Sequence, residues 1–113
     1  MQKPHQTFEE FWEFYVMEHS LPHTRQLHFM GTTAAMTLGI TGLFAGRFAF
    51  VLLAVIVGYA VAWISHFAVQ KNKPASWTHP AWSFLADLKL FFLMAAGRMD
   101  EEVERVMSRH GQH

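Results

Sequence analysis

Residues 29–46 and 48–65 form two stretches of eighteen residues without a single Asp, Glu, Lys or Arg, parted only by Arg47. A helix rises 1.5 Å per residue, so each stretch is roughly 27 Å long when helical. That nearly matches the ~30 Å hydrocarbon core of a bilayer. The competing arrangement is a hairpin buried inside a water-soluble protein. A chain of 113 residues has little left with which to cover two helices that are apolar all round. The expected fold is therefore all-α, a small helical integral membrane protein of one domain over residues 1–113. It has a transmembrane hairpin (about 29–46 and 48–66) and additional amphipathic helices.

The first stretch is only weakly hydrophobic, but Gly31, Gly39, Gly42 and its four threonines are the small residues that let membrane helices approach closely. Gly46-Arg47 supplies the turn, so the chain enters and leaves on one side. Arg25 precedes the pair and Lys71 and Lys73 follow it, against Arg47 alone in the turn. By the positive-inside rule both termini lie in the cytoplasm.

Outside the hairpin, Thr7-Phe8-Glu9-Glu10 reads as a capping box. It opens a helix with an aromatic face (Phe8, Phe11, Trp12, Phe14, Tyr15) and an acidic one, which Pro22 disturbs near its end. Residues 71–76 form a loop. Thr78 or His79 then caps a helix over 81–96, with Pro80 in its first turn. This helix lies in the membrane interface, re-enters or spans. Asp100-Glu101-Glu102 opens a last amphipathic helix with Val103, Val106 and Met107 inward. The first ten residues carry no secretion-signal pattern. Zero net charge and the lack of a Lys/Arg cluster give no sign of nucleic-acid binding.

Eight histidines punctuate the chain. His5, His110 and His113 fall in tails and are expected to be solvated. His19 and His23 are four apart and could share a helical face, although Pro22 lies between them. The hairpin brings His28, at the start of the first stretch, to the membrane face where His66 ends the second, near His19, His23 and His79. Ionisable groups at that depth usually face a protein interior, and neutral imidazole is the commonest metal ligand. There is no cysteine, and no acid between His19 and Ala86, so any metal there is held mainly by nitrogen. Glu18 and Asp87 are the only nearby carboxylates. Such a donor set suits iron, zinc, copper or nickel and argues against magnesium or calcium. Gln70, four residues after His66, is placed on its face of the helix.

Two segments resemble motifs of the Mpo1-like family. The first comprises Tyr15, His19, Pro22, Thr24-Arg25, His28 and Gly31-Thr32. The second comprises His66, Gln70-Lys71-Asn72-Lys73 and Pro74-Ala75, and His79-Pro80, Trp82 and Asp87 resemble the continuation of its bacterial branch. The likeness runs over about residues 8–98. It implies an integral membrane protein of the bacterial inner membrane, an iron(II)-dependent dioxygenase that uses O2 to shorten 2-hydroxy fatty acids by one carbon. By position it implies His19, His28 and His66 as metal ligands, with His79 a further one; His23 has no counterpart. Thr24 stands where the motif has Asn, and Gln70 where it has Glu. An amide there keeps the hydrogen bonding but loses the charge.

On this basis Gln70 and Arg25 are the candidate catalytic residues, Arg25 or Lys71 attracting the substrate carboxylate. Trp63, Phe67, Lys71 and Trp82 are candidates for substrate binding, with Trp77 and Phe84 as further wall residues. Membrane lipid is the surrounding partner, and a homo-oligomer is left open. Three other readings compete: a zinc-dependent membrane hydrolase, a haem-binding electron-transfer protein, and a structural membrane protein without metal.

Overall fold

The computed structural model describes residues 7–74 and 77–111, and every described regular element is helical. His5, His113 and the loop residues Ala75 and Ser76 lie outside the described residues. Helix α1 (Phe8–Glu18) begins as its capping box requires: Thr7 Oγ1 accepts from the Glu10 amide at 3.1 Å. Pro22 does not disturb this helix. It opens the next one, α2 (Pro22–Ala45), at a first-turn position where the missing amide hydrogen has no partner to lose. Helix α2 thus starts seven residues before the charge-free stretch. The link between α1 and α2 also separates His19 from His23, which is exposed in the first turn of α2 beside Gln26.

Helix α3 (Phe48–Ile64) runs back along α2 and continues as a π-helical turn, Ser65–Gln70, ending at Lys71 in the left-handed conformation (φ 63°). The connection is the expected one. Gly46 adopts φ 69°, and the Arg47 amide reaches back to the Gly42 carbonyl at 2.8 Å. The two helices touch along small residues. A methyl group placed on Gly31 would lie 2.9 Å from Val61 Cβ, and one on Gly42 would lie 2.7 Å from Phe50 Cβ. Gly58 opposes Ala35, and Gly39 opposes Ala54, so the backbones close up over the whole length of the hairpin.

Helices α4 (Pro80–Ala95) and α5 (Met99–Arg109) complete the fold. His79 occupies the N-cap position ahead of Pro80, without a side-chain capping hydrogen bond. The described apolar core is formed by α1, α4 and α5 around Phe11, Trp12, Tyr15, Val16, Ala86, Leu90, Met99 and Val106. Phe29 of α2 stacks on Phe91 of α4, with ring centroids 5.1 Å apart. The hairpin itself is uncovered over most of its surface. Phe44 is 89% exposed, Phe48 72% and Leu52 65%. Both hairpin helices are long and apolar enough to cross a membrane. A soluble monomer rarely leaves a continuous apolar surface of that extent open. At 16 residues, α4 is roughly 24 Å long, short of the ~30 Å core.

Candidate metal centre

Three elements each contribute one buried histidine to a single point. His19 is the C-cap residue of α1, His28 lies in the second turn of α2, and His66 is the second residue of the π-helical turn. His28 Nε2 lies 3.2 Å from His19 Nε2 and 3.3 Å from His66 Nε2. The three ligand atoms all fall within 4.8 Å of one another.

The other nitrogen of each ring determines what these three atoms can do. His19 Nδ1 meets the Tyr15 carbonyl at 2.7 Å, which only accepts, so Nδ1 carries the hydrogen. His66 Nδ1 meets Asn72 Oδ1 at 2.6 Å, while the amide nitrogen of Asn72 donates to the Glu18 carbonyl at 2.9 Å. The Asn72 oxygen is therefore the acceptor and His66 Nδ1 the donor. His28 Nδ1 faces Asp87 Oδ1 at 3.5 Å. Neutral imidazoles held this way direct their Nε2 lone pairs at each other. A proton on one Nε2 serves only one of its two neighbours; a cation at the centre serves all three.

Two of the three spacings, 3.2 and 3.3 Å, fit such a cation. With metal–nitrogen bonds of about 2.0–2.1 Å, ligands at right-angled to tetrahedral angles stand about 2.8–3.4 Å apart. The closeness of the three rings leaves no space for a porphyrin between them. Burial, followed by the His28 and His66 rings, holds His19 well below the ordinary histidine value, so it is a neutral donor near pH 7. Asp87 also accepts from the Tyr15 hydroxyl at 2.5 Å. Burial lifts its carboxyl to about 6, against the downward pull of that bond. Burial and the neighbouring Asp87 charge keep the Tyr15 phenol protonated, well above its usual value.

Arg25 has a different position from the one expected. Its Nη1 donates to the carbonyls of His19 at 2.9 Å and Ser20 at 2.8 Å, and its Nη2 lies 3.6 Å from Asp100. It is buried and braces the end of α1, a favourable place for a cation at a helix C-terminus. Gln70 also turns away from the histidines. Its Oε1 accepts from the Leu21 amide at 3.0 Å and from Thr24 Oγ1 at 2.8 Å, and its Nε2 donates to Ser20 Oγ. Four residues span one face of an α-helix, but the wider π-helical turn shifts that phase. The two residues that depart from the motif, Thr24 and Gln70, thus bond to each other and tie the start of α2 to the end of α3.

His79 stands outside the trio. Its ring stacks on Trp82 (7° between planes) and packs on Phe11 at 5.0 Å, with Nδ1 2.8 Å from Thr78 Oγ1. Trp82 faces Phe8 and Phe11 of α1 and belongs to that aromatic packing. Trp63 borders the small space against the histidines, together with Tyr59, Ala62 and Asp87. Phe67 and Trp63 both pack on Trp77, and Lys71 is exposed. The sequence reading missed Asn72 and the Tyr15 carbonyl as partners of the histidines. Asn72 sits in the second motif, and that was the available signal.

A protein-family model described as 2-hydroxy-palmitic acid dioxygenase Mpo1-like matches residues 5–99. No curated protein and no solved structure matches the chain.

Proposed function

The chain belongs to the Mpo1-like family, and from that membership and the geometry of its histidines we propose a membrane-bound, iron(II)-dependent dioxygenase. The reaction is cleavage of the C1–C2 bond of a 2-hydroxy fatty acid with O2 as the four-electron oxidant: C2 becomes the carboxyl of an acid one carbon shorter, C1 leaves as CO2, and one water forms. The observation that carries the reading is the convergence of three Nε2 atoms, with the other ring nitrogen already spent on the Tyr15 carbonyl in His19 and on Asn72 in His66, and Asp87 3.5 Å from that of His28. His19, His28 and His66 would hold the metal. When bound, iron(II) would supply a chelation point for the substrate's carboxylate and hydroxyl and the redox chemistry that uses O2.

The remaining roles belong to the chain itself. Asn72 and the Tyr15 carbonyl orient two imidazoles and fix their tautomers, and Asp87 lies beside the third. Arg25 holds the backbone that carries His19. Tyr59, Ala62 and Trp63 enclose the space next to the trio and keep water out of it. Lys71, exposed beyond His66, faces the zone of headgroups and carboxylates. In this reading α2 and α3 cross the bilayer, and the histidines lie at one of its faces, on the cytoplasmic side with both termini.

A zinc-dependent hydrolase remains a second reading, favoured by the all-nitrogen donor set. Zinc enzymes use three histidines and a water, whereas many iron(II) oxygenases include one carboxylate among three ligands. The test is elemental analysis of anaerobically purified protein, wild type and His66→Ala, followed by turnover of 2-hydroxyhexadecanoic acid with and without O2. We expect iron in the wild type, loss of iron in the variant, and O2-dependent formation of the shorter acid. A wild type that cannot be loaded with iron ends the dioxygenase reading; bound zinc with O2-independent hydrolysis of an ester- or amide-linked fatty acyl substrate, a bond the free acid lacks, replaces it.

A further inference from the structure

A groove of about 400 Å³ starts at His28 and Asp87 and runs along the seam of α2 and α3, with α4 as one wall, to Leu43 and Val51. His28, Tyr59, Ala62 and Asp87 also border the small space against the histidine trio, so the two spaces share a throat. Polarity is confined to that end: beyond Thr32 and Tyr59 every lining residue is apolar. Gly39 and Gly58, which face Ala54 and Ala35 across the seam, are among the groove's lining residues. From His28 to Leu43 the helix rises roughly 22 Å, more than one leaflet's share of a ~30 Å hydrocarbon core. Ile40, Leu43, Val55 and Phe84 line it and are each at least half exposed, so it is open sideways along its length.

We infer that this groove seats the single acyl chain of the substrate, which enters sideways from the bilayer, with its carboxyl end at the throat and its methyl end at Leu43 and Val51. This rests on the dioxygenase reading. The physics favours an anchored single-chain amphiphile. Lipid tails are as apolar as the groove, so a tail gains little by leaving them. Retention must come from a polar head bound at the throat, and the groove then contributes alignment and a limit on length. Residues at the far end, Ile40, Leu43 and Val51, therefore set chain-length preference without touching the reacting carbons.

The test uses the full chain, metal-loaded and anaerobic, in phosphatidylcholine nanodiscs. The probe is 2-hydroxyhexadecanoic acid with a diazirine at its methyl end, and labelled peptides are mapped by mass spectrometry. We expect labelling at Ile40, Leu43 or Val51 that unlabelled 2-hydroxyhexadecanoic acid suppresses. Labelling confined to the outward-facing Leu52, Leu53 and Ile56, or insensitive to the competitor, overturns the proposal and makes bulk lipid the occupant. A second measurement ranks unlabelled 2-hydroxy acids from decanoic to octadecanoic as competitors. Leu43→Trp should shift preference from hexadecanoic toward dodecanoic acid by about fivefold or more, because the groove can no longer accept the longer tail without strain. Leu52→Trp, on the outer face, should leave the ranking as in wild type. An unchanged ranking in Leu43→Trp also overturns the proposal. Labelling requires no turnover. A protein that passes both measurements but never consumes O2 refutes the dioxygenase reading alone; an active one that fails both refutes the groove alone.

Discussion

Asn72 shows how much a candidate metal-binding histidine depends on its neighbour. It accepts from His66 Nδ1 and donates to the Glu18 carbonyl, so one side chain sets that ring's tautomer and ties the π-helical turn to the end of α1. Asn72→Ala should lower metal affinity about 10–100-fold, as loss of such partners generally does, measured by competition with a chromophoric chelator. Asn72→Asp keeps the acceptor and should retain more of that affinity than Asn72→Ala. Equal losses in the two would mean the bond to Glu18 is what matters. Arg25→Lys should weaken binding less sharply, because a lysine can reach one of the two carbonyls but lacks the fork that holds both. The residues that meet were partly legible in the sequence. His19 and His28 lie nine apart in one motif, and the uncharged stretches imply a hairpin that returns His66 to them. The partners were not legible. Asn72 reads locally as a loop residue, and a backbone carbonyl such as that of Tyr15 leaves no trace in residue type. His79, offered by the resemblance as a further ligand, lies outside the trio, because residue type does not reveal that its ring packs on Phe11 of α1 and on Trp82.

The hairpin is the element on which the site depends, and its seam is tight enough to be tested. Gly31→Ala puts a methyl group 2.9 Å from Val61 Cβ and Cγ1. Separation of α2 and α3 at that level also moves His28 away from His66. We expect a loss of about 1–3 kcal/mol, read by thermal unfolding in detergent, together with weaker metal binding. Adding Val61→Ala should restore most of both. A Gly31→Ala protein with wild-type stability and affinity would show that the seam is softer than its contacts imply. Charge patterning was enough to place the two helices and their turn. It could not place the start of α2, because Pro22 is equally at home breaking one helix and opening another. It also could not reveal the π-helical turn, since no residue in Ser65–Gln70 demands it. That is why Gln70, assigned to the His66 face by ordinary helical periodicity, points instead to Ser20, Leu21 and Thr24.

Across the whole molecule, α5 is joined to α1 through the shared apolar core and through a set of polar contacts at its edge. Trp12 Nε1 donates to Glu102 at 2.6 Å, Arg105 pairs with Glu102, and Glu13 receives Arg109 and His110. His110 is thus engaged with Glu13 rather than simply solvated. The Arg105 hydrogen bonds, with Trp12 adding to them, hold the Glu102 carboxyl at about 2, below its ordinary 4.5. A depressed carboxyl stabilises the fold fully above the unfolded value and loses that contribution as pH falls toward the folded one. Between pH 4.5 and 2, α5 should loosen from α1, with a shift in Trp12 emission that Glu102→Gln flattens. Emission that stays constant over that range in the wild type would contradict this. The convergence of residues 19, 28 and 66 has a further consequence, one of order in time. During synthesis the first two histidines emerge long before the third, and the third reaches them only after both long helices have been laid down and turned back. The three rings cannot meet until then. If they hold an ion, its acquisition would come last in the making of this protein, and a chain with its second helix misplaced would lack the assembled trio.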